Sequence, residues 1–273
     1  MVTVKITGGL GNQMFQYTIA KSIAIKNNDN FSLDISFYPK QTLRKYELNF
    51  FNIEENVAKP ESIFSKIKRK LGFAPKEYYM EKEVAVFDKE VFNYKDNIIL
   101  DGYWQNENYF KDIRAEILKD FTLKKDISKE ANNYLKKIRN NNSVSLHIRR
   151  GDYLNSGTNE VHGICDINYY KRAIKYIDIK VNNPIYYIFS DDITWCKENF
   201  DFLENKTFVD DTKSAFDDLE LMKNCKHNII ANSTFSWWGA WLNENIEKIV
   251  ISPTIWWSAR IDNHIACDGW YKC

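Results

Sequence analysis

Ser145-Leu-His-Ile-Arg-Arg-Gly-Asp-Tyr153 is the stretch that decides how the chain is read. Val144, Leu146 and Ile148 alternate with polar residues, which predicts a strand. Gly151 then turns the chain, so that Arg149, Arg150 and Asp152 leave the strand at its carboxyl end. In open α/β sheets that edge is where ligands bind. Arginine offers a permanently charged planar fork that grips phosphate oxygens with paired hydrogen bonds. A structural ion pair between Arg149 and Asp152 is the competing reading of the same residues.

Downstream, strands are predicted at 185–189, near 207–209, at 228–231 and at 248–251. Helices are predicted at 168–179, 214–224 and 232–242, with a shorter one after Ser190-Asp-Asp192. Strands alternating with helices imply a parallel sheet wound on both faces. Upstream, Val2, Val4 and Ile6 predict a strand, and Thr7-Gly-Gly-Leu-Gly-Asn-Gln13 a glycine turn. A helix at 14–26 follows, with Phe15, Ile19 and Ile23 on one face. Further strands are expected at 31–35 and 98–100, and helices at 109–121 and 128–139. The region 38–97 resists ordering beyond a helix at 60–71. The asparagine run at 140–142 marks the domain boundary, giving domains 1–139 and 140–273.

The 273 residues carry a formal net charge of +1, which argues against a nucleic-acid partner. No window approaches the roughly 18 apolar residues of a membrane span, and the N-terminus lacks a signal-peptide layout. Five cysteines without metal-ligand spacing read as reduced thiols in a cytoplasmic protein. The basic cluster Lys66-Ile-Lys-Arg-Lys70 reads either as a solvated helix face or as a peripheral contact with anionic lipid.

Several strand ends carry groups suited to a nucleotide diphosphate. The glycine turn supplies backbone amides at a helix start, which favours negative charge. Asn232-Ser-Thr-Phe-Ser236 places hydroxyls and amides at another helix start, where plain capping by Ser233, Thr234 or Ser236 is the alternative. Asp217, Asp218 and Glu220 offer carboxylates for the N–H donors of a guanine edge, or a solvated helix face. The chain has no Asp-x-Asp triplet, and the adjacent pairs Asp191-Asp192, Asp210-Asp211 and Asp217-Asp218 diverge. A bound diphosphate would therefore be neutralised by arginine and helix dipoles, and no metal is expected.

Gly8-Gly-Leu-Gly-Asn-Gln-Met-Phe-Gln-Tyr17, His147-Ile-Arg-Arg-Gly-Asp-Tyr153 and Ile230-Ala-Asn-Ser-Thr-Phe-Ser-Trp-Trp-Gly-Ala-Trp241 resemble the motifs of bacterial α-1,2-fucosyltransferases, glycosyltransferase family 11. Asp101-Gly-Tyr-Trp-Gln105, His162-Gly-Ile-Cys165 and Phe189-Ser-Asp-Asp192 are weaker echoes. The resemblance implies an α/β fold of GT-B type, with two Rossmann-like domains facing a cleft. It implies GDP-L-fucose as donor and inverting, metal-independent transfer to the 2-hydroxyl of a galactose in a glycan such as an O-antigen or capsule. Arg149 and Arg150 would hold the pyrophosphate, in an order left open, with Asp152 orienting them and His147 near the nucleotide. Asp191, Asn232, Ser233, Thr234 and Ser236 join that nucleotide set, and Glu220 or Asp218 would read guanine. Asn12, with Gly9, Gly11 and Gln13, would face the fucose or the pyrophosphate.

The acceptor's proton has several possible destinations: Asp34, Asp101, Glu160, His162 or the departing phosphate itself. Two rival readings are a fucosyltransferase with another acceptor and a non-catalytic glycan-binding protein. The latter would use Trp237, Trp238, Trp241, Trp256 and Trp257 as sugar platforms. Core packing is the competing account of those tryptophans.

Overall fold

The computed structural model describes residues 1–58, 77–94, 97–151, 163–258 and 264–273. Its strands are apolar on both faces, as parallel sheets covered by helices require. Val2, Thr3 and Val4 are all buried, and Thr3 Oγ1 meets Ser32 Oγ of the neighbouring strand at 3.1 Å. The chain forms two compact units, Met1–Lys125 and Asp126–Cys273.

The first unit runs β1 (Val2–Lys5), α1 (Leu10–Lys26), β2 (Phe31–Asp34), β3 (Glu77–Met80), β4 (Ile98–Asp101) and α2 (Arg114–Asp120). The sheet order is β2-β1-β4-β3, with every pairing parallel. Helix α1 begins at Leu10, four residues ahead of the expected start at 14, because Gly8 turns the chain at φ +77°. Gly9 then accepts the amides of Asn12 and Gln13 at 3.0 and 3.1 Å. Asn12 and Gln13 thus sit in the first helical turn. The helix expected at 109–121 is shorter than predicted, since 3-10 turns at Glu107–Tyr109 and Lys111–Ile113 precede α2. Phe110, at φ −146°, interrupts the helical path between them.

The second unit runs α3 (Lys129–Arg139), β5 (Asn142–Ile148), α4 (Ile167–Lys180), β6 (Pro184–Ser190), α5 (Ile193–Asn199), β7 (Lys206–Phe208), α6 (Ala215–Asn224), β8 (His227–Ile229), α7 (Thr234–Trp241), β9 (Val250–Ser252) and β10 (Tyr271–Lys272). Its all-parallel sheet has the order β10-β9-β8-β5-β6-β7. Val144, Leu146 and Ile148 pack with Tyr170 and Ala173 of α4 on one face. Tyr187 and Phe189 pack with α3 and α6 on the other. The alternation in β5 therefore marks two covered faces. Its polar residues are also buried: Ser145 Oγ accepts a 2.7 Å bond from Asn228 Nδ2.

The boundary at 139/140 moves to Lys125/Asp126. Helix α3 buries Ala131, Leu135 and Ile138 against Tyr187 and Leu221, and Asp217 Oδ1 accepts the Ser128 amide at 2.9 Å. It belongs to the second unit by packing, and the asparagine run is only the turn into β5. The helix expected at 60–71 and the basic cluster at 66–70 lie outside the described residues. Among those described, no helix is long and apolar enough to cross a membrane. All five cysteines are free thiols.

In the second sheet the strand order reverses between β5 and β8: the chain leaves β5 toward β6 and β8 toward β9, so the two connections diverge at that carboxyl edge, the kind of place where open α/β sheets bind ligands.

Candidate active site

In the second unit the arginine turn follows β5, one of the strands at the reversal. Ile148 is in register with Ser190, so Arg149 and Arg150 emerge beside Asp191 and Asp192. Each carboxylate takes one arginine: Arg149 Nη1 lies 2.9 Å from Asp191 Oδ2, and Arg150 Nε lies 3.4 Å from Asp192 Oδ2. Asp191 Oδ1 also accepts the Arg150 amide at 2.9 Å. The Arg150 guanidinium stacks on Trp195, with Cζ 3.8 Å from the ring centroid. Its terminal nitrogens make no hydrogen bond among the described residues, so the end of the fork is available to an acceptor. A methyl group on Gly151 would lie 2.7 Å from Asp191 Oδ2, so only glycine allows this close approach.

Asp191, expected in the nucleotide set, instead positions the arginines, the role assigned to Asp152. Asp152, Glu160 and His162 lie outside the described residues. Asp192 and Trp195 were missed; the strand register beside Ser190-Asp-Asp192 was the available signal.

His147 is buried at the end of β5, with its ring 6.0 Å from Phe235. Burial first, then the Arg149 charge, pushes its pKa down to about 3, so the imidazole is neutral throughout the working range. Its Nδ1 is buried without a hydrogen-bond partner. Such an atom costs free energy unless something bonds it.

The turn after β8 leads into α7. Helices α3, α4, α5 and α6 are all capped by side chains, from Ser128, Asp166, Asp192 and Ser214. At α7, Ser233 occupies the cap position but makes no side-chain cap bond, and no acidic residue lies in the first turn. The plain-capping account of Ser233 therefore does not hold, and the helix start suits an anion. Ser236 is different: it is fully buried, and its hydroxyl donates to the Ser233 carbonyl at 3.2 Å. Asn232 is also structural, since its Nδ2 donates to the carbonyls of Trp256 and Gly163 at 3.2 and 3.3 Å. Thr234 is half-buried in the first turn.

The carboxylates of α6 separate into three roles. Asp217 holds the amides of Ser128 and Lys213, both at 2.9 Å. Glu220 is taken up by Lys223 Nζ at 2.7 Å and Asn224 Nδ2 at 3.0 Å, which removes it as a guanine reader. Asp218 accepts one bond, from Thr212 Oγ1 at 2.8 Å. Burial pushes its pKa up to about 6, against the lowering effect of that bond. Desolvation thus sets aside one carboxylate at the start of α6.

In the first unit, Tyr38 donates its hydroxyl to the Gly8 carbonyl at 3.0 Å. Asn12 Oδ1 accepts from Gln105 Nε2 at 2.9 Å, tying the turn after β1 to the turn after β4. Gln13 is fully buried and acts as a strut: Nε2 donates to the carbonyls of Lys45 and Gly8, and Oε1 accepts the Glu47 amide at 2.9 Å. It does not face a ligand. At Gly9, α1 has no side-chain cap. Gly11 is buried within the first turn. Two proposed bases have other duties. Asp34 accepts the Ser36 amide at 3.0 Å. Asp101 binds Lys5 Nζ at 2.7 Å and the Tyr78 hydroxyl, and its pKa is lowered by those partners even though burial, the largest influence, opposes them.

The five tryptophans proposed as sugar platforms are buried, and Trp237 Nε1 donates to the Ile265 carbonyl at 2.7 Å. They form core. The glycan-binding alternative loses its aromatic surface.

The model of the family described as glycosyl transferase family 11 matches residues 1–271. The chain belongs to glycosyltransferase family 11. This family 11 glycosyltransferase is 37% identical over 272 residues to an α-1,2-colitosyltransferase of Escherichia coli, covering 94% of this chain and 92% of the relative. It is 34% identical over 297 residues to the O-antigen biosynthesis glycosyltransferase WbnK of Escherichia coli, covering 97% and 98%. Among solved structures it resembles the α-1,6-fucosyltransferase NodZ from Bradyrhizobium, with TM-score 0.50 and 12% identity over 88% of this chain and 92% of that one. That likeness bears on fold alone. The family 11 glycosyltransferase has the expected α/β architecture of GT-B type, with two Rossmann-like units.

Proposed function

We propose that this glycosyltransferase moves L-fucose from GDP-L-fucose to the 2-hydroxyl of a galactose residue, with inversion and without a metal ion. The acceptor would be an O-antigen, capsule or related oligosaccharide. The observation that carries the reading is the arginine turn at the strand-order reversal of the second unit. As the bond from C1 to the β-phosphate oxygen breaks, charge grows on the phosphate while the sugar becomes oxocarbenium-like. Arg149 and Arg150 meet that charge already held by Asp191, Asp192 and Trp195, so little reorganisation is needed. The amides at the start of α7 and the Ser233 and Thr234 hydroxyls add donors. The neutral His147 adds a hydrogen-bonding group without adding charge. Asp218 takes the two N–H donors of guanine. The first unit takes the acceptor side, with Asn12 fixed by Gln105.

A second donor is favoured by one observation: the relative at 37% identity is named for colitose. Colitose is the 3-deoxy counterpart of L-fucose, so the two differ by one hydroxyl. The test is incubation of GDP-L-fucose and GDP-colitose, separately, with a panel of β-galactosides, in chelator and in manganese. Linkage and anomeric configuration are read by NMR. Fucose joined α to galactose O2 at an undiminished rate in chelator is the expected result. Transfer of colitose alone would replace the donor, and dependence on manganese would overturn charge neutralisation by arginine. Galactoside binding with neither transfer nor GDP affinity would restore the glycan-binding alternative.

A further inference from the structure

The acceptor hydroxyl must lose a proton, and the sequence offered no settled base for it. Among the described candidates, Asp34 closes a turn and Asp101 is engaged by Lys5 and Tyr78. A different carboxylate stands at the glycine turn. The Glu47 backbone amide donates to Gln13 Oε1 at 2.9 Å, and Gln13 Nε2 donates to the Gly8 carbonyl at 3.2 Å, so the backbone at Glu47 is strutted against the turn after β1. Tyr38, which donates to the same Gly8 carbonyl, has its pKa raised by burial first and then by the nearby Glu47 charge. Arg44 comes over Gly9, its Nη1 3.6 Å from where a Cβ on that residue would stand. Glu47 is half-buried, and its carboxylate makes no hydrogen bond or ion pair among the described residues. A half-buried carboxylate near Arg44 and Lys45 but with no hydrogen bond of its own has acceptor capacity left for a ligand.

We infer that Glu47 is the general base, taking the proton of the acceptor hydroxyl at the glycine turn of the first unit. The inference rests on the transfer reading above. As the acceptor oxygen bonds to the anomeric carbon, the C1–O bond to the β-phosphate breaks and its electron pair leaves with GDP. The hydroxyl proton passes to a Glu47 carboxylate oxygen and is released to solvent after the product departs. The charged and titratable groups near Glu47 are Arg44, Lys45 and Tyr38. Burial raises the Glu47 pKa, and the charges of Arg44 and Lys45 offset part of that rise. A raised pKa brings a carboxylate closer to the working pH, where a base accepts a proton most effectively.

The test compares wild-type enzyme with Glu47→Gln and Glu47→Ala across pH. Activity of the wild type is expected to rise with pH through an acid limb above the usual carboxylate range, because only ionised Glu47 accepts a proton. In Glu47→Gln, kcat is expected to fall about 10²–10⁴-fold and the limb to disappear, with GDP affinity and melting temperature unchanged. Added formate is expected to restore part of the rate in Glu47→Ala. A Glu47→Gln enzyme with wild-type kcat and an intact limb would overturn the assignment. So would a loss that tracks weaker GDP binding or lower melting and that formate does not repair. The wild type, run alongside, separates the two levels: no sugar transfer from it sinks the transfer reading and the base together. Equal transfer by wild type and Glu47→Gln sinks the base alone.

Discussion

Replacing Asp218 by asparagine should make the protein more stable and a poorer binder of guanine nucleotides. The carboxylate is buried, and its pKa is raised from 3.8 to about 6. That rise corresponds to about 3 kcal/mol against folding at a pH where the group is fully ionised. The sign follows from proton counting. Between the unfolded value of 3.8 and the folded value of about 6, the native state holds a proton that the unfolded chain has released. The stabilising effect of that proton is complete below the lower value and lost as pH rises through the upper one. Asparagine keeps an oxygen for the Thr212 hydroxyl, which donates at 2.8 Å, but carries no charge to desolvate. Urea denaturation at pH 5 and pH 8 measures the difference. Asp218→Asn should exceed the wild type by up to about 3 kcal/mol at pH 8, with a smaller margin at pH 5. Meanwhile GDP affinity should fall about 10- to 100-fold, because the amide accepts only one of guanine's two donors, while weak ADP binding stays unchanged. A variant no more stable than wild type at pH 8, or one that binds GDP as tightly, would refute the account of Asp218.

Two further outcomes follow from the same geometry. Arg149→Ala and Arg150→Ala should each lower kcat by about 10²–10³, measured with saturating donor, because a preorganised donor to the departing phosphate is lost. Near-normal turnover in both would remove the arginine turn from the chemistry. Asp120→Ala should destabilise the first unit by about 3–5 kcal/mol in urea, since it strips Lys21 Nζ, 2.6 Å away and buried, and the Tyr17 hydroxyl of their shared partner. A change below about 1 kcal/mol would show that Glu54, 3.1 Å from Lys21 Nζ, suffices alone.

Strand positions were legible because parallel sheets reward local apolar runs such as Val144, Leu146 and Ile148. The motif turns were legible because they follow those runs directly. Short elements were not: Glu77–Met80 and Tyr271–Lys272 become strands only through pairing with β4 and β9. The domain boundary was misplaced for a similar reason. A polar run at 140–142 is a local signal, whereas the allegiance of α3 is decided by contacts with residues far along the chain. Within the site, sequence named Arg149 and Arg150 but not Asp192 or Trp195, whose roles depend on the register of β5 against β6. It also gave Gln13, Asn232 and Glu220 to the ligand. Each of these side chains finds protein partners first, a competition that spacing does not reveal. Glu47 went unseen because its neighbours, Gln13 and Tyr38, are brought to it by the turn after β1.

The crowding at Gly151 also constrains how this enzyme can be re-engineered. Any side chain at 151 must displace Asp191, yet Asp191 holds Arg149 in place. A single change at either position therefore disturbs the support of Arg149 before it can create anything new. Altering the loop here calls for simultaneous replacement at both positions, so libraries built one codon at a time would stall at this corner.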